Sequence, residues 1–307
     1  AATQIGDQGL NLGRMAAILA GLPKSVPGYS IDRMCAGALT AVTTSASSIA
    51  FGAADVVLAG GVEHMGRHPM GEGADPNPRF VAEKIADQKA LVMGETAENL
   101  HDKFPQLTKE RCDKFALNSQ LKTAKAYSDG NISKDLIPVA VRHAEQGWTL
   151  ATTDEPPRPG TTLEGLTALK TPFRPNGRVT AGNASGLNDG ATISMLASEE
   201  AIKEFGLPKK AKLVSYAFAG VEPEIMGYGP VPSTLKALSK AGLSIEDIDI
   251  FEINEAFAVQ VLSFLDYFNI ADDDPRVNQF GGAIAVGHPL ASSGVRLMIN
   301  MARGFEN

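Results

Sequence analysis

Residues 34–61 read MCAGALTAVTTSASSIAFGAADVVLAGG. No charge interrupts positions 34–54, yet six of those 21 residues are Ser or Thr and nine are Ala or Gly. Such a stretch is too polar and too small-sided for a bilayer span, and predicts a helix buried on all sides of a globular core. After Asp55 comes Val56-Val57-Leu58-Ala59-Gly60-Gly61, a short apolar run closed by glycines, which is the pattern of a strand buried on both faces. A buried helix followed at once by a buried strand implies an α/β layer structure.

The same order returns downstream. Pro232 to Lys240 predicts a helix stopped near Gly242, Ser244 and Asp247 stand at capping-box spacing, and Ile248 to Ile253 predicts a strand. Two similar halves follow from this repetition. Between about His64 and Asn183 the texture differs: Pro69, Pro76 and Pro78 break it early, and Pro156, Pro157, Pro159, Pro172 and Pro175 break it late, around a helix near Lys109 to Tyr127. This segment reads as an inserted, loop-rich region of the kind that carries ligand contacts.

A chain of 307 residues with 44% hydrophobic content has enough apolar surface for one large core or two smaller ones. The net charge of −7 and the lack of any long Lys/Arg block exclude nucleic acid from the expected partners. Two cysteines, Cys35 and Cys112, are too few for a disulfide framework and point to a reducing compartment. The opening Ala1-Ala2-Thr3-Gln4 carries no signal-peptide pattern and reads as the middle of a protein.

Cys35 stands where an extended segment enters the helix, in Ile31-Asp32-Arg33-Met34-Cys35-Ala36-Gly37. Free N–H groups at a helix start favour a thiolate there, although a Cys among Ala and Gly also reads as a small core residue. His288 lies in the glycine-rich turn Phe280-Gly281-Gly282-Ala283-Ile284-Ala285-Val286-Gly287-His288-Pro289-Leu290, where it is either a base near neutral pH or a structural loop histidine. Asn254 begins Asn254-Glu255-Ala256-Phe257 at the carboxyl end of the second predicted strand. It is placed to orient a water or an oxyanion, or to cap the next helix.

Other candidates carry less. His64 and His68 are four apart beside Glu63, but Gly66 and Pro69 break the helix a zinc pair needs, so no metal is expected. Cys112 begins a charged helix and is expected to be partly exposed without a catalytic role. The glycines of Ala181 to Gly190 follow neither a Walker nor a dinucleotide pattern.

Taken in order, Asp-Arg-Met-Cys-Ala-Gly-Ala-Leu around Cys35, Met93-Gly94-Glu95-Thr96-Ala97-Glu98-Asn99, Ala-Gly-Asn-Ala-Ser-Gly at 181–186, Asn-Glu-Ala-Phe at 254–257 and Gly-Gly-Ala-Ile-Ala-Val-Gly-His-Pro at 281–289 resemble the motif series of the thiolases. The segments Ser215 to Gly227 and Ala291-Ser292-Ser293-Gly294 are most similar to degradative 3-ketoacyl-CoA thiolases of actinobacterial type, among them β-subunits of fatty-acid oxidation complexes. The resemblance implies an α/β fold of duplicated βαβαβαββ halves in a layered αβαβα arrangement with an inserted loop domain. Residues 1–64 with 188–209 would form the N-terminal half, 65–187 the insertion, and 210–307 an incomplete C-terminal half, both termini being truncated.

By the same resemblance Cys35 is the acylated nucleophile, His288 activates it and holds the thioester oxygen, and Asn254 positions a water in that oxyanion site. Ser185, Met93, Met226 and Phe257 would line the pantetheine channel, with Arg158 near the nucleotide phosphates. Coenzyme A is then a substrate and no cofactor is bound permanently. Implied partners are acyl-CoA and CoA, a second copy of the chain in a homodimer or tetramer, and a hydratase/dehydrogenase α-subunit, all in the cytoplasm. The expected activity is cleavage of 3-oxoacyl-CoA in fatty-acid β-oxidation. A biosynthetic acetoacetyl-CoA thiolase and a non-catalytic acyl-CoA-binding scaffold are the alternatives, the latter because the family's second catalytic Cys, in a Cys-x-Gly segment, is absent from residues 1–307.

Overall fold

The computed structural model describes residues 1–305. Its helices are α1 (Leu12–Leu19), α2 (Gly37–Ala50), α3 (Arg79–Ala82), α4 (Met93–Lys103), α5 (Lys109–Ser128), α6 (Leu163–Thr167), α7 (Glu199–Phe205), α8 (Pro230–Ala241), α9 (Ala258–Tyr267), α10 (Ala283–Val286) and α11 (Ser293–Gly304). The strands are β1 (Val56–Glu63), β2 (Val139–His143), β3 (Gly147–Ala151) and β4 (Gly190–Ala197). The chain gathers into two compact units. Unit 1 joins residues 1–77, 187–216 and 288–298; unit 2 joins 78–186, 217–287 and the stretch from Ile299. This partition differs from the three-part division by sequence, because 78–186 shares unit 2 with 217–287.

In unit 1, α2 packs on an antiparallel pair in which β1 and β4 run from Val56↔Ala197 to Glu63↔Gly190. Three hydroxyls of α2 bond back along the helix: Thr43 Oγ1 donates to the Thr40 carbonyl at 3.1 Å, Ser47 Oγ to that of Thr43 at 2.9 Å and Ser48 Oγ to that of Thr44 at 3.0 Å. Two expectations are corrected here. The helix is not buried on all sides, since Gly37, Ala38, Val42, Thr43 and Ser45 are buried while Leu39, Ser47 and Ala50 are exposed. Nor is β1 buried on both faces: α2 covers the Ala59 side, and Val56 and Leu58 are exposed on the other, together with Ile193 and Met195 of β4.

Unit 2 is built around α9, whose residues Ala258 to Leu265 are buried on every side, against α4 and α5. Leu100, Leu107, Phe115, Val261, Leu262 and Leu265 meet in this core. Fully burying each such side chain stabilises the fold by roughly 1.5–3 kcal/mol. The predicted helix near 109–127 is α5. Thr108 caps it by accepting from Arg111 N at 3.2 Å, and the Arg111 guanidinium bonds Asp266 and Asp272, clamping α5 to α9. The predicted helix at 232–240 is α8, which starts earlier at Pro230 because proline fits a first helical turn, and ends at Gly242 with φ +68°. The Ser244/Asp247 capping box is present.

The predicted strand at 248–253 is not a ladder. Phe251 makes a single parallel bridge to Val277, and the side chain of Asn278 then takes the place of a neighbouring strand. Its Oδ1 accepts from Ile253 N at 2.8 Å and its Nδ2 donates to the Ile253 carbonyl at 2.9 Å. The backbone groups of Phe251 and Ile253 are thereby paired without a sheet, Phe251 N donating to the Arg276 carbonyl and its own carbonyl accepting from Asn278 N.

Candidate active site

Cys35 occupies the 3₁₀ turn Met34–Ala36 immediately ahead of α2. The turn is tight: Met34 is held at φ +46°, a left-handed conformation unfavourable for a residue with a Cβ, and Asp32 Oδ1 accepts from its N–H at 2.9 Å. Cys35 is half-buried. Burial pushes its thiol up to about 11; a hydrogen bond with the local backbone opposes that shift, and the Glu63 carboxylate adds to it. The expected resting thiolate is thus corrected. Desolvation outweighs the turn's N–H groups, and at neutral pH the sulfur keeps its proton.

His288 sits in the same unit, buried at 4% exposure. Its ring is pushed down to about 4, first by burial and then by the Arg296 guanidinium, so at neutral pH it is an uncharged imidazole able to accept a proton. Asn188 Oδ1 accepts from its backbone N–H at 3.1 Å, and Nδ1 lies 2.6 Å from Ser293 Oγ.

The turn after His288 packs directly on the turn that follows Cys35. A Cβ on Gly37 would stand 3.2 Å from the Ala291 Cβ, and one on Gly294 would stand 2.7 Å from Leu39 N. At the end of β1 the fit is closer still, because a Cβ on Gly61 would fall 1.9 Å from the Ala291 carbonyl oxygen. Only glycine allows the strand to pass there.

Beneath both turns lies Glu63, 1% exposed. Its carboxylate accepts from Ala2 N at 2.8 Å, Thr3 N at 3.2 Å, Gln8 Nε2 at 3.2 Å and Ala291 N at 3.3 Å. In the sequence Glu63 stands out only as a neighbour of His64. Its single legible signal was a carboxylate closing an otherwise apolar strand.

Unit 2 carries the remaining candidates. The Ala-Gly-Asn-Ala-Ser-Gly run and the Asn-Glu-Ala-Phe run pair through their backbones: Ala184 bridges Phe257, Ser185 N donates to the Ala256 carbonyl at 3.0 Å, and Ala258 N donates to that of Asn183 at 2.9 Å. Ser185, Asn254 and Phe257 are thereby brought together, each half-buried. Asn254 does not cap α9, whose N-cap is Phe257. Glu255, 1% exposed, accepts from Ser119 Oγ at 2.6 Å, Asn278 Nδ2 at 2.8 Å and Ile284 N at 3.2 Å, which fixes the run to the glycine-rich segment.

Met93 begins α4, which packs along the Pro223–Tyr228 turn that holds Met226; Asn99 Nδ2 donates to the Glu224 carbonyl at 2.8 Å to secure the two. Arg158 is exposed, on a loop anchored where its own N–H donates to Gln120 Oε1 at 2.8 Å.

Cys112 is corrected. It is 1% exposed in the unit 2 core, and its thiol is pushed far upward, first by burial and then by the Asp113 carboxylate. His64 pairs with Asp189, and His68 is held between Asp7 and Glu72 at 2.6 and 2.9 Å. Among the described residues no three of His, Cys, Asp and Glu gather as metal ligands, and no helix is long and apolar enough to cross a membrane.

Two family models match this chain: "Thiolase, N-terminal domain" over residues 2–200 and "Thiolase, C-terminal domain" over residues 207–307. The 3-oxoadipyl-CoA/3-oxo-5,6-dehydrosuberyl-CoA thiolase of Escherichia coli (strain K12) is 46% identical over 97% of this chain and 78% of that protein. A 3-ketoacyl-CoA thiolase of Aliivibrio fischeri is 44% identical over 98% of this chain and 77% of that protein. The crystal structure of human mitochondrial 3-ketoacyl-CoA thiolase superimposes with a TM-score of 0.89 at 36% identity, covering all of this chain and 79% of the human one. With the motif series, both family models and the fold in agreement, the chain belongs to the thiolase family of acyltransferases.

Proposed function

We propose that this protein cleaves a 3-oxoacyl-CoA with CoA, giving acetyl-CoA and a shortened acyl-CoA through an acyl-cysteine on Cys35. The observation that carries this reading is the packing of the Cys35 turn against the His288 turn in unit 1, Gly37 on Ala291 and Gly294 on Leu39. A half-buried thiol that keeps its proton needs a base, and a neutral buried imidazole is one.

The proton leaves Sγ for the imidazole, and the electron pair left on sulfur bonds to the 3-keto carbon. The alkoxide formed at C3 returns to a carbonyl as the C2–C3 bond breaks, and the proton held on the imidazole passes to C2, so that acetyl-CoA departs and His288 is neutral again. In the second half-reaction the CoA thiol gives its proton to the imidazole and its sulfur bonds to the acyl carbon, the bond to Sγ breaks, and Sγ takes that proton back. Asn254 takes the family's role of holding a water for the thioester oxygen, Ser185, Met93, Met226 and Phe257 that of lining the pantetheine channel, and Arg158 that of meeting the nucleotide phosphates. The division into two thiolase halves with the 65–187 insertion belongs to the same reading, as does a cytoplasmic homodimer or tetramer.

The leading substrate class is the 3-oxoacyl-CoA of fatty-acid β-oxidation, supported by the motif resemblance and by the 3-ketoacyl-CoA thiolases among the similar proteins. A second reading, 3-oxoadipyl-CoA, is supported by the E. coli relative and by a β-ketoadipyl-CoA thiolase of Acinetobacter baylyi, 42% identical over 99% of this chain. Thiolysis rates on long-chain 3-oxoacyl-CoA, 3-oxoadipyl-CoA and acetoacetyl-CoA decide between these substrates. A preference for the long chain supports β-oxidation, and a preference for the dicarboxylate replaces it. Thiolysis at the wild-type rate by Cys35→Ala would overturn the whole proposal.

A further inference from the structure

The bond between His288 and Ser293 raises a question the mechanism must answer. A neutral imidazole carries one N–H, and the nitrogen without it is the one that accepts a proton. Nδ1 of His288 and Oγ of Ser293 are 2.6 Å apart, in residues 4% and 1% exposed, so water does not arbitrate between them. One proton lies between the two atoms, and its owner sets the chemistry of Nε2.

Behind Ser293 stands the Pro289 carbonyl, 3.1 Å from Ser293 Oγ; that carbonyl also accepts from Ser292 N at 3.0 Å, Ser293 N at 3.2 Å and Ser292 Oγ at 3.1 Å. A hydroxyl has a single proton. When Ser293 gives it to Pro289, its lone pairs face His288 and it must accept from Nδ1. The same alignment serves the imidazolium formed after proton transfer, whose Nδ1–H needs an acceptor in a buried setting. Turning the hydroxyl the other way would put the only ring proton on Nε2.

We propose that Ser293 is a positioning residue that selects the ring tautomer of His288, accepting Nδ1–H and donating to the Pro289 carbonyl so that Nε2 is the nitrogen that takes the Cys35 proton. This rests on the thiolysis reading above for its catalytic consequence, but not for the tautomer itself. Bond counting is simple: the S–H bond of Cys35 breaks, an N–H bond forms at Nε2, and Nδ1–H stays in place throughout.

The test is ¹⁵N NMR of the full-length resting enzyme labelled at histidine, with the His288 signals identified by their loss in His288→Asn. The expected wild-type spectrum has His288 protonated on Nδ1 at pH 7. Ser293→Ala is expected to lose that preference and to slow acylation of Cys35 roughly tenfold, the size of one hydrogen bond to a charged group. Ser293→Thr, which keeps a hydroxyl, is expected to restore both. A wild-type His288 protonated on Nε2, or a Ser293→Ala variant that keeps the Nδ1–H form, overturns the proposal. If Ser293→Ala does not fold, the wild-type spectrum alone decides. Normal thiolysis by Cys35→Ala would instead overturn the functional reading and leave the tautomer result standing.

Discussion

The surroundings of the two cysteines differ in a way that acidity does not explain. Cys35, in a strained turn of unit 1, and Cys112, inside the aliphatic core of unit 2, both have thiols pushed above their ordinary range by burial. Neither is a resting thiolate. What separates them is company and access. Cys35 is half-buried, in a turn packed against the one that carries a neutral imidazole. Cys112 is 1% exposed, on α5, with Asp113 next to it opposing any further negative charge. Under the proposed reading Cys35 is set apart by the imidazole-bearing turn packed on its own turn, and Cys112 by its enclosure in an aliphatic core.

The contrast can be broken most severely by removing each sulfur. Cys35→Ala is expected to lower thiolysis by about 10⁴-fold or more, as loss of a covalent nucleophile does, while Cys112→Ala stays within about twofold because its side chain only packs. Steady-state thiolysis assays of both variants check this. Equal losses would erase the distinction.

Removing the base should come next in size. His288→Asn is expected to slow acylation of Cys35 by roughly 10²–10⁴-fold, the usual range for a general base, with stopped-flow acylation as the measurement. A smaller effect would mean that some other group takes the Sγ proton.

A pH titration sharpens the same point. The folded His288 has its pKa depressed to about 4, against about 6.5 in an unfolded chain, so between those values the unfolded state binds more protons and stability falls as pH falls. Urea denaturation of wild type is expected to lose on the order of 2–3 kcal/mol from this residue between pH 7.5 and 4.5. His288→Asn should lack that component, and parallel pH curves for the two proteins would count against a buried neutral imidazole.

The smallest expected effect falls on packing alone. Cys112→Ala should cost about 1 kcal/mol in urea denaturation through the lost side-chain volume, and Cys35→Ala less than that, because its site is looser. The reverse order would contradict the assignment of core and site.

Much of this was legible in residue order. The uncharged 34–54 stretch predicted a helix, Gly242 its counterpart's end, and Ser244 with Asp247 the capping box, because helix stops and caps are local chemistry. The pairing of the 181–186 run with the 254–257 run was not legible, since backbone partners far apart in sequence leave no local mark. The Ile248–Ile253 segment failed for a related reason: it has strand composition, but the Asn278 side chain pairs with Ile253 where a neighbouring strand was expected. Among the candidate residues, Cys35, His288 and Asn254 stand out by residue type. Glu63 and Ser293 do not, because a buried hydrogen-bond hub is defined by what folds around it. The thiolate expected at Cys35 was wrong because local N–H groups can be read from a helix start, whereas burial cannot.

The most direct test of the central claim is peptide mapping by mass spectrometry of the full-length protein quenched after mixing with a 3-oxoacyl-CoA in the absence of free CoA. The prediction is an acyl group on the peptide containing Cys35, absent in Cys35→Ala and slow to form in His288→Asn. An acyl group on Cys112, or unimpaired thiolysis with Cys35 never modified, would contradict it.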